Sequence, residues 1–151
     1  MSLIDKILKN IATLSFAGYF PVAPGTCGSF IAFAFFVLLK PSPLIHALIV
    51  LLIIPIGTAS SHIAEKLLKD KDSRHIVIDE FCGYFISVLF IRFSIVNALA
   101  AFFLFRFFDI LKPFPINRIE KSFKGGMGIM ADDVMAAIYA NMVLQAWVLI
   151  Y

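Results

Sequence analysis

The chain has 151 residues, of which 61% are apolar and 15% charged, with 17 Phe and a mean hydropathy of +0.94; soluble domains run at roughly 45–50% apolar and about 25% charged. This excludes an ordinary soluble monomer, because one small core cannot hide so much apolar surface, and makes lipid the natural solvent. The net charge of +3 would suit nucleic acid only on a polar surface, so no nucleic-acid partner is expected.

The opening MSLIDKILKNIATL sets Leu3, Ile4, Ile7, Leu8, Ile11 and Leu14 at helical spacing, with Asp5, Lys6 and Lys9 elsewhere, which predicts a helix lying on a membrane surface. No small-residue cleavage site follows an uninterrupted apolar core, so the N-terminus is expected to be retained. The next charge-free run is broken by Pro21, Pro24, Gly25 and Gly28, and predicts a short helix from near Thr26 to Lys40. Leu44–Ala64 and Val134–Tyr151 each come close to the about 20 apolar residues that a span needs. Between them, Phe81–Ile91 and Phe93–Leu111, parted by Arg92-Phe-Ser, predict a helical hairpin. Pro113 and Pro115 end its second arm, and Gly125, Gly126 and Gly128 predict a flexible approach to Asp132. Trp147 and Tyr151 read as interface anchors, and Cys27 and Cys82, with no metal spacing, as reduced packing residues. The expected architecture is all-α: one domain over 1–151, a small polytopic membrane bundle of about 4–5 apolar helices plus the interfacial one.

Basic residues orient such a bundle. Eleven Lys and Arg fall in the N-terminal, middle and last loop segments on one side, against Lys40 and Arg92 on the other, and all ten acids share the basic side. That side is expected to be cytoplasmic. Three acidic groups lie at its helix ends: Asp79-Glu80, Asp109 and Asp132-Asp133. Any one alone is satisfied by a role in a first helical turn. Three at one membrane face favour convergence, since carboxylates near hydrocarbon are costly and mark functional sites. Gathered carboxylates need a positive partner, and oxygen ligands suit Mg²⁺ or another hard cation. Asp133, Ala137 and Asn141, beside Asp132, Ala136 and Ala140, repeat at intervals of four, and Asp79, Gly83 and Ser87 repeat the theme; the small residues read as helix contact faces.

Pro24-Gly25-Thr26-Cys27-Gly28-Ser29 precedes an apolar helix, where unpaired N–H groups, glycines and hydroxyls could hold a phosphate or could simply start a helix. Arg106, Asp109 and Lys112 follow at i, i+3 and i+6, which puts Arg106 beside Asp109. His46, His62 and His75 form no metal spacing and read as packing or interfacial residues, His75 being the best placed to act as a base. Acids and cations together at a membrane face point to an anionic, phosphorylated lipid headgroup, with a metal to offset the repulsion between carboxylates and phosphate.

The stretches PVAPGTCGS (21–29), IVIDEFCGYFIS (76–87), FRFFDILKPFPI (105–116) and GGMGIMADDVMAAIYA (125–140) resemble, in order and spacing, the signature blocks of the phosphatidylglycerophosphatase A family. The resemblance implies a Mg²⁺-dependent, multi-pass enzyme of the bacterial inner membrane with its site facing the cytoplasm. Such an enzyme removes the terminal phosphate of phosphatidylglycerophosphate, leaving phosphatidylglycerol for phospholipid biosynthesis. Carried over by position, Gly25, Thr26, Gly28 and Ser29, with Arg106 and Lys112, would bind the phosphate. Asp79, Asp132 and Asp133 would hold Mg²⁺, and Glu80 or Asp109 would be a further ligand or the base that orients water. Metal-bound water and a carboxylate nucleophile both stay open. The D-x-D-x-[TV] motif, the histidine-nucleophile PSGH motif and the D-G-x-x-A-R motif of related phosphate chemistries are absent. A cation or proton-coupled transporter using the acids is the alternative, although such sites usually lie at the midplane. A noncatalytic lipid-binding protein would not need three converging acidic groups.

Overall fold

The computed structural model describes residues 2–150, apart from the side chains of Glu120 and Lys121. All regular structure among the described residues is helical: α1 (Leu3–Ala12), a 3₁₀ turn (Ala17–Tyr19), α2 (Pro24–Leu39), α3 (Pro43–Leu68), α4 (Ile78–Ser87), α5 (Ile95–Leu111), α6 (Ile116–Ser122) and α7 (Gly126–Ile150). Two of these, α3 and α7, are long and apolar enough to cross a membrane. Tyr151 lies outside the described residues, while Trp147 is exposed near the end of α7. Large apolar side chains face outward all round, among them Leu38, Leu51, Phe103, Ile110 and Leu149. Such a surface, together with two helices long and apolar enough to cross a membrane, is consistent with membrane association.

Helix α1 starts on a capping box, with the Ser2 hydroxyl accepting from the Asp5 N–H and the Asp5 carboxylate accepting from the Ser2 N–H. Leu3, Ile4 and Ile7 are exposed, as an interfacial helix requires. Pro55 inside α3 removes the backbone donor that would meet the Leu51 carbonyl, and three residues on the Thr58 hydroxyl donates to the Ile54 carbonyl at 2.9 Å.

The hairpin is present, but its first arm is shorter than Phe81–Ile91. Helix α4 stops at Ser87, and the chain turns through Val88–Ser94 into α5. An early stop leaves orphan carbonyls in apolar surroundings. Neighbouring helices supply the donors: His46 Nε2 on α3 donates to the Phe85 carbonyl at 2.9 Å, and Asn141 Nδ2 on α7 donates to the Ser87 and Leu89 carbonyls at 3.0 and 2.9 Å. His46 is therefore a packing residue, as its sequence context suggests, and Asn141 closes the end of α4. Replacing Asn141 by Leu, similar in size but without the donor, is expected to cost about 1–3 kcal/mol, because the Ser87 carbonyl is stranded while the Leu89 carbonyl keeps the Gln145 Nε2 donor at 3.3 Å. Denaturant titration in detergent checks this, and unchanged stability would mean that the Ser87 carbonyl finds another donor.

Small residues sit at helix contacts. Ala136, Ala137 and Ala140 of α7 are fully buried, and a Cβ on Gly83 of α4 would run into the Phe105 ring of α5. Helix α7 begins eight residues before Val134, and the glycines read as flexible are helix starts and contacts: Gly126 is buried against the Thr58 carbonyl and the His62 backbone of α3, Gly128 is buried in the first turn, and only Gly125 has positive φ, +66°. Helix α6 occupies part of the last loop that the sequence predicts; Pro115 at its N-cap fits a helix start as well as a stop. Helix α2 begins at Pro24, two residues before Thr26. These packings bring five helix termini to one end of the molecule: the starts of α2, α4 and α7 and the ends of α3 and α5.

Candidate active site

Each acid reaches that end for a local reason. Asp79 and Glu80 occupy the first turn of α4, where the positive end of the helix dipole favours carboxylates. Asp109 lies in the last turn of α5, where the dipole disfavours it and a cation must compensate. Arg106, one turn back, provides it: Nη1 donates to Asp109 Oδ2 at 2.5 Å and lies 3.9 Å from Glu80 Oε1. Asp132 and Asp133 sit in the second turn of α7, inside the helix rather than at its opening, so capping does not account for them. Asp132 Oδ2 accepts from Lys112 Nζ at 2.7 Å. Lys112 is the C-cap of α5 in the left-handed region (φ 43°), which ends the helix and leaves the ammonium to cross to α7.

The three acidic groups thus converge. One oxygen each from Asp79, Glu80 and Asp133 lie within 4.8 Å of one another, and so do oxygens of Asp109, Asp132 and Asp133. Asp133 belongs to both sets. Asp79, Asp132 and Asp133 are buried and Glu80 and Asp109 half-buried. Burial first, and then the negative charge of Glu80, pushes the Asp79 carboxyl well above the usual carboxylate range; burial likewise raises Glu80. Asp79 Oδ1, Glu80 Oε2 and Asp133 Oδ2 are buried with no hydrogen-bond partner. Buried carboxylate oxygens without donors are costly. A hard divalent cation takes just such an all-oxygen donor set, so these residues fit Mg²⁺ on chemistry as well as position.

The glycine-rich segment is only partly at this site. A Cβ on Gly25 would collide with Glu80 Oε1 and lie 3.5 Å from Arg106 Nη1, which fixes the start of α2 against the cluster. Thr26 follows it in the first turn. Gly28 instead allows close approach to the Val77 backbone, its Cβ position being 2.8 Å from that carbonyl. Ser29 is buried, and its hydroxyl donates to the Gly25 carbonyl at 3.1 Å. The expectation of phosphate contacts from Gly28 and Ser29 thus meets packing roles for both. His75 is also occupied: Nδ1 donates to the Gly18 carbonyl at 2.7 Å and the ring stacks on Tyr19, away from the acids.

Beside the cluster lies a polar cavity of about 510 Å³ that includes Asp132 and is walled by Glu65, Lys66, Lys71, Asp72 and Lys124, with His62 at its edge. In the sequence these lysines read only as topology signals. What could have marked them is that Gly125 and Gly128, also in the wall, join this loop to Asp132.

Fold and site together define a helical protein of apolar surface that gathers five carboxylates, an arginine and a lysine at one end. The family model of phosphatidylglycerophosphatase A matches residues 10–148, and the chain belongs to that family of phosphatases. Relatives include the phosphatidylglycerophosphatase A of Haemophilus influenzae, 54% identical over 82 residues, covering 52% of this chain and 50% of that protein, so that match spans half the relative's length. The phosphatidylglycerophosphatase A of Escherichia coli K12 is 36% identical over 85% of this chain and 76% of its own. A putative phosphatidylinositol-3-phosphatase of Bacteroides thetaiotaomicron is 35% identical over 88% of this chain and 89% of its own. No solved structure matches.

Proposed function

We propose that this protein is a Mg²⁺-dependent phosphomonoesterase that hydrolyses phosphatidylglycerophosphate to phosphatidylglycerol and phosphate in phospholipid biosynthesis. It would sit as a multi-pass bundle in the bacterial inner membrane, its apolar helices α2, α3, α5 and α7 in lipid and its site at the cytoplasmic face. The observation that carries the reading is the convergence of the three acidic groups on donorless buried oxygens beside Arg106 and Lys112, within a chain of this family. The excess of cations on the same side supports the orientation.

Asp79, Asp132 and Asp133 would hold the ion, joined by one of Glu80 and Asp109, which leaves the other as the base. When bound, Mg²⁺ would neutralise charge on the phosphoryl oxygens and lower the pKa of a water molecule. The chain's own groups do the rest. Arg106, tethered by Asp109 and Glu80, presents remaining guanidinium donors to the phosphate, while the start of α2 at Gly25 and Thr26 offers backbone N–H groups. Lys112 holds Asp132 in place and adds positive charge. A carboxylate of Glu80 or Asp109 accepts the proton of the attacking water, the water oxygen bonds to phosphorus, and the phosphorus–glycerol oxygen bond breaks, with that oxygen taking up a proton. Acids gathered at one end, rather than on broken helices at the midplane, separate this reading from the transporter.

The name of the Bacteroides relative points to another lipid phosphate, so headgroup choice is tested directly. Phosphate release by the purified protein in mixed micelles is measured with phosphatidylglycerophosphate, phosphatidylinositol 3-phosphate and phosphatidate. Release from the first at least about tenfold faster than from the others is expected, the discrimination of a few good headgroup contacts. Faster release from the inositol lipid would overturn the substrate assignment, and release from none would overturn the activity.

A further inference from the structure

The polar cavity walled by Lys66, Lys71 and Lys124 does not end at its polar rim. His62, Phe123 and Lys124 also border a second groove of about 820 Å³ between α3, α6 and α7, where the lining turns apolar with Pro55, Ala59 and Met127. The two cavities thus share a border at His62, Phe123 and Lys124, with apolar lining on one side of it and three lysines and Asp132 on the other. The order of apolar lining, lysines and acids matches one ligand chemistry: an acyl chain at one end, an anionic linker in the middle and a second anionic group at the acid cluster. Resting on the phosphatase reading above, we propose that an anionic diacyl phospholipid lies across this border at His62, Phe123 and Lys124. One acyl chain lies in the α3–α6–α7 groove, the linking phosphodiester meets Lys66, Lys71 and Lys124, and the terminal phosphate reaches the carboxylates.

Charge favours this placement. Glu65 and Asp72 share the cavity wall, and with Asp132 held by Lys112 the three lysines exceed those two acids by one. The two acids suit the hydroxyl of a glycerol linker, which donates to carboxylate while the lysines donate to phosphate. Another apolar groove, about 730 Å³ between α1 and α2 and lined by Phe30, Phe35 and Phe81, includes only Asn10 and Ser15 as polar groups and no cation. It has nothing to hold a phosphodiester.

The test is photolabelling of the full chain in phosphatidylcholine nanodiscs with Mg²⁺. Two trace probes carry a diazirine midway along one acyl chain: phosphatidylglycerophosphate with a non-hydrolysable terminal phosphonate, and phosphatidylcholine. Labelling around Ala59 and Met127 is expected to be about fivefold greater with the anionic probe, as charge-assisted contacts at the lysines would give. The enrichment should fall to the phosphatidylcholine level in the triple K66Q/K71Q/K124Q variant and, independently, in Ala59→Trp, which fills the groove. Equal labelling by both probes, or enrichment at Phe30 and Phe35 instead, would overturn the placement. Phosphate release from hydrolysable lipid, read on the same preparation, separates the two claims: enrichment without release contradicts the phosphatase reading alone, and release without enrichment contradicts the placement alone.

Discussion

Asp133→Asn is expected to lower kcat for phosphate release by about three orders of magnitude, the scale of losing a charge-stabilising group at a phosphoryl centre. The reason is position: Asp133 is the one carboxylate common to both oxygen sets, between Asp79 and Glu80 on one side and Asp109 and Asp132 on the other. Asparagine keeps the shape and removes the charge. Because the native carboxylate is buried among like charges, its removal should leave thermal stability unchanged or raise it. Kinetics beside a melting curve in the same detergent checks both halves. More than about a tenth of wild-type activity would contradict the central role of Asp133.

Gly25→Ala is expected to separate activity from folding in another way. The added methyl would occupy the space of Glu80 Oε1, the far end of a flexible side chain, close to Arg106 Nη1. The carboxylate can swing aside, so the fold should survive with little change in melting temperature, but Glu80 and Arg106 lose their registration. A displacement of about 1 Å at reacting groups can cost roughly 100-fold in rate. The same substitution at Gly28 presses on the rigid Val77 backbone and should instead lower stability. Equal effects of the two substitutions on activity and on melting would contradict the division of this segment into a site residue and a packing residue.

That division shows where reading the sequence succeeds and where it stops. The convergence of Asp79-Glu80, Asp109 and Asp132-Asp133 was legible because charges are scarce in this chain and fall at helix ends, so their placement carries most of the information. The two long apolar helices were legible by length alone, and the partnership of Arg106 with Asp109 by spacing on one helix. The rest depends on contacts between helices. Gly126 resembles a breaker until α3 is placed against it, and with α3 in place it allows α7 to begin eight residues early. The early end of α4 is possible only because His46 and Asn141, distant in sequence, supply donors to its last carbonyls. Nothing local in Ile78–Ile91 announces that stop. Ser29 is a plausible phosphate ligand by motif, yet its hydroxyl turns to its own helix, a choice set by burial against neighbouring elements. Lys66, Lys71 and Lys124 were visible as charges on one side, but the cavity that gives them a shared target exists only once α3 and α7 pack.

The proposed role of the carboxylate cluster is to hold a divalent cation beside a lipid phosphate. It is tested most directly by phosphate release from phosphatidylglycerophosphate in nanodiscs, first with Mg²⁺, then with excess chelator, then with Mg²⁺ restored. Release is expected to stop on chelation and to return in full with the metal, with no return in Asp133→Asn. Undiminished release in chelator would contradict that role.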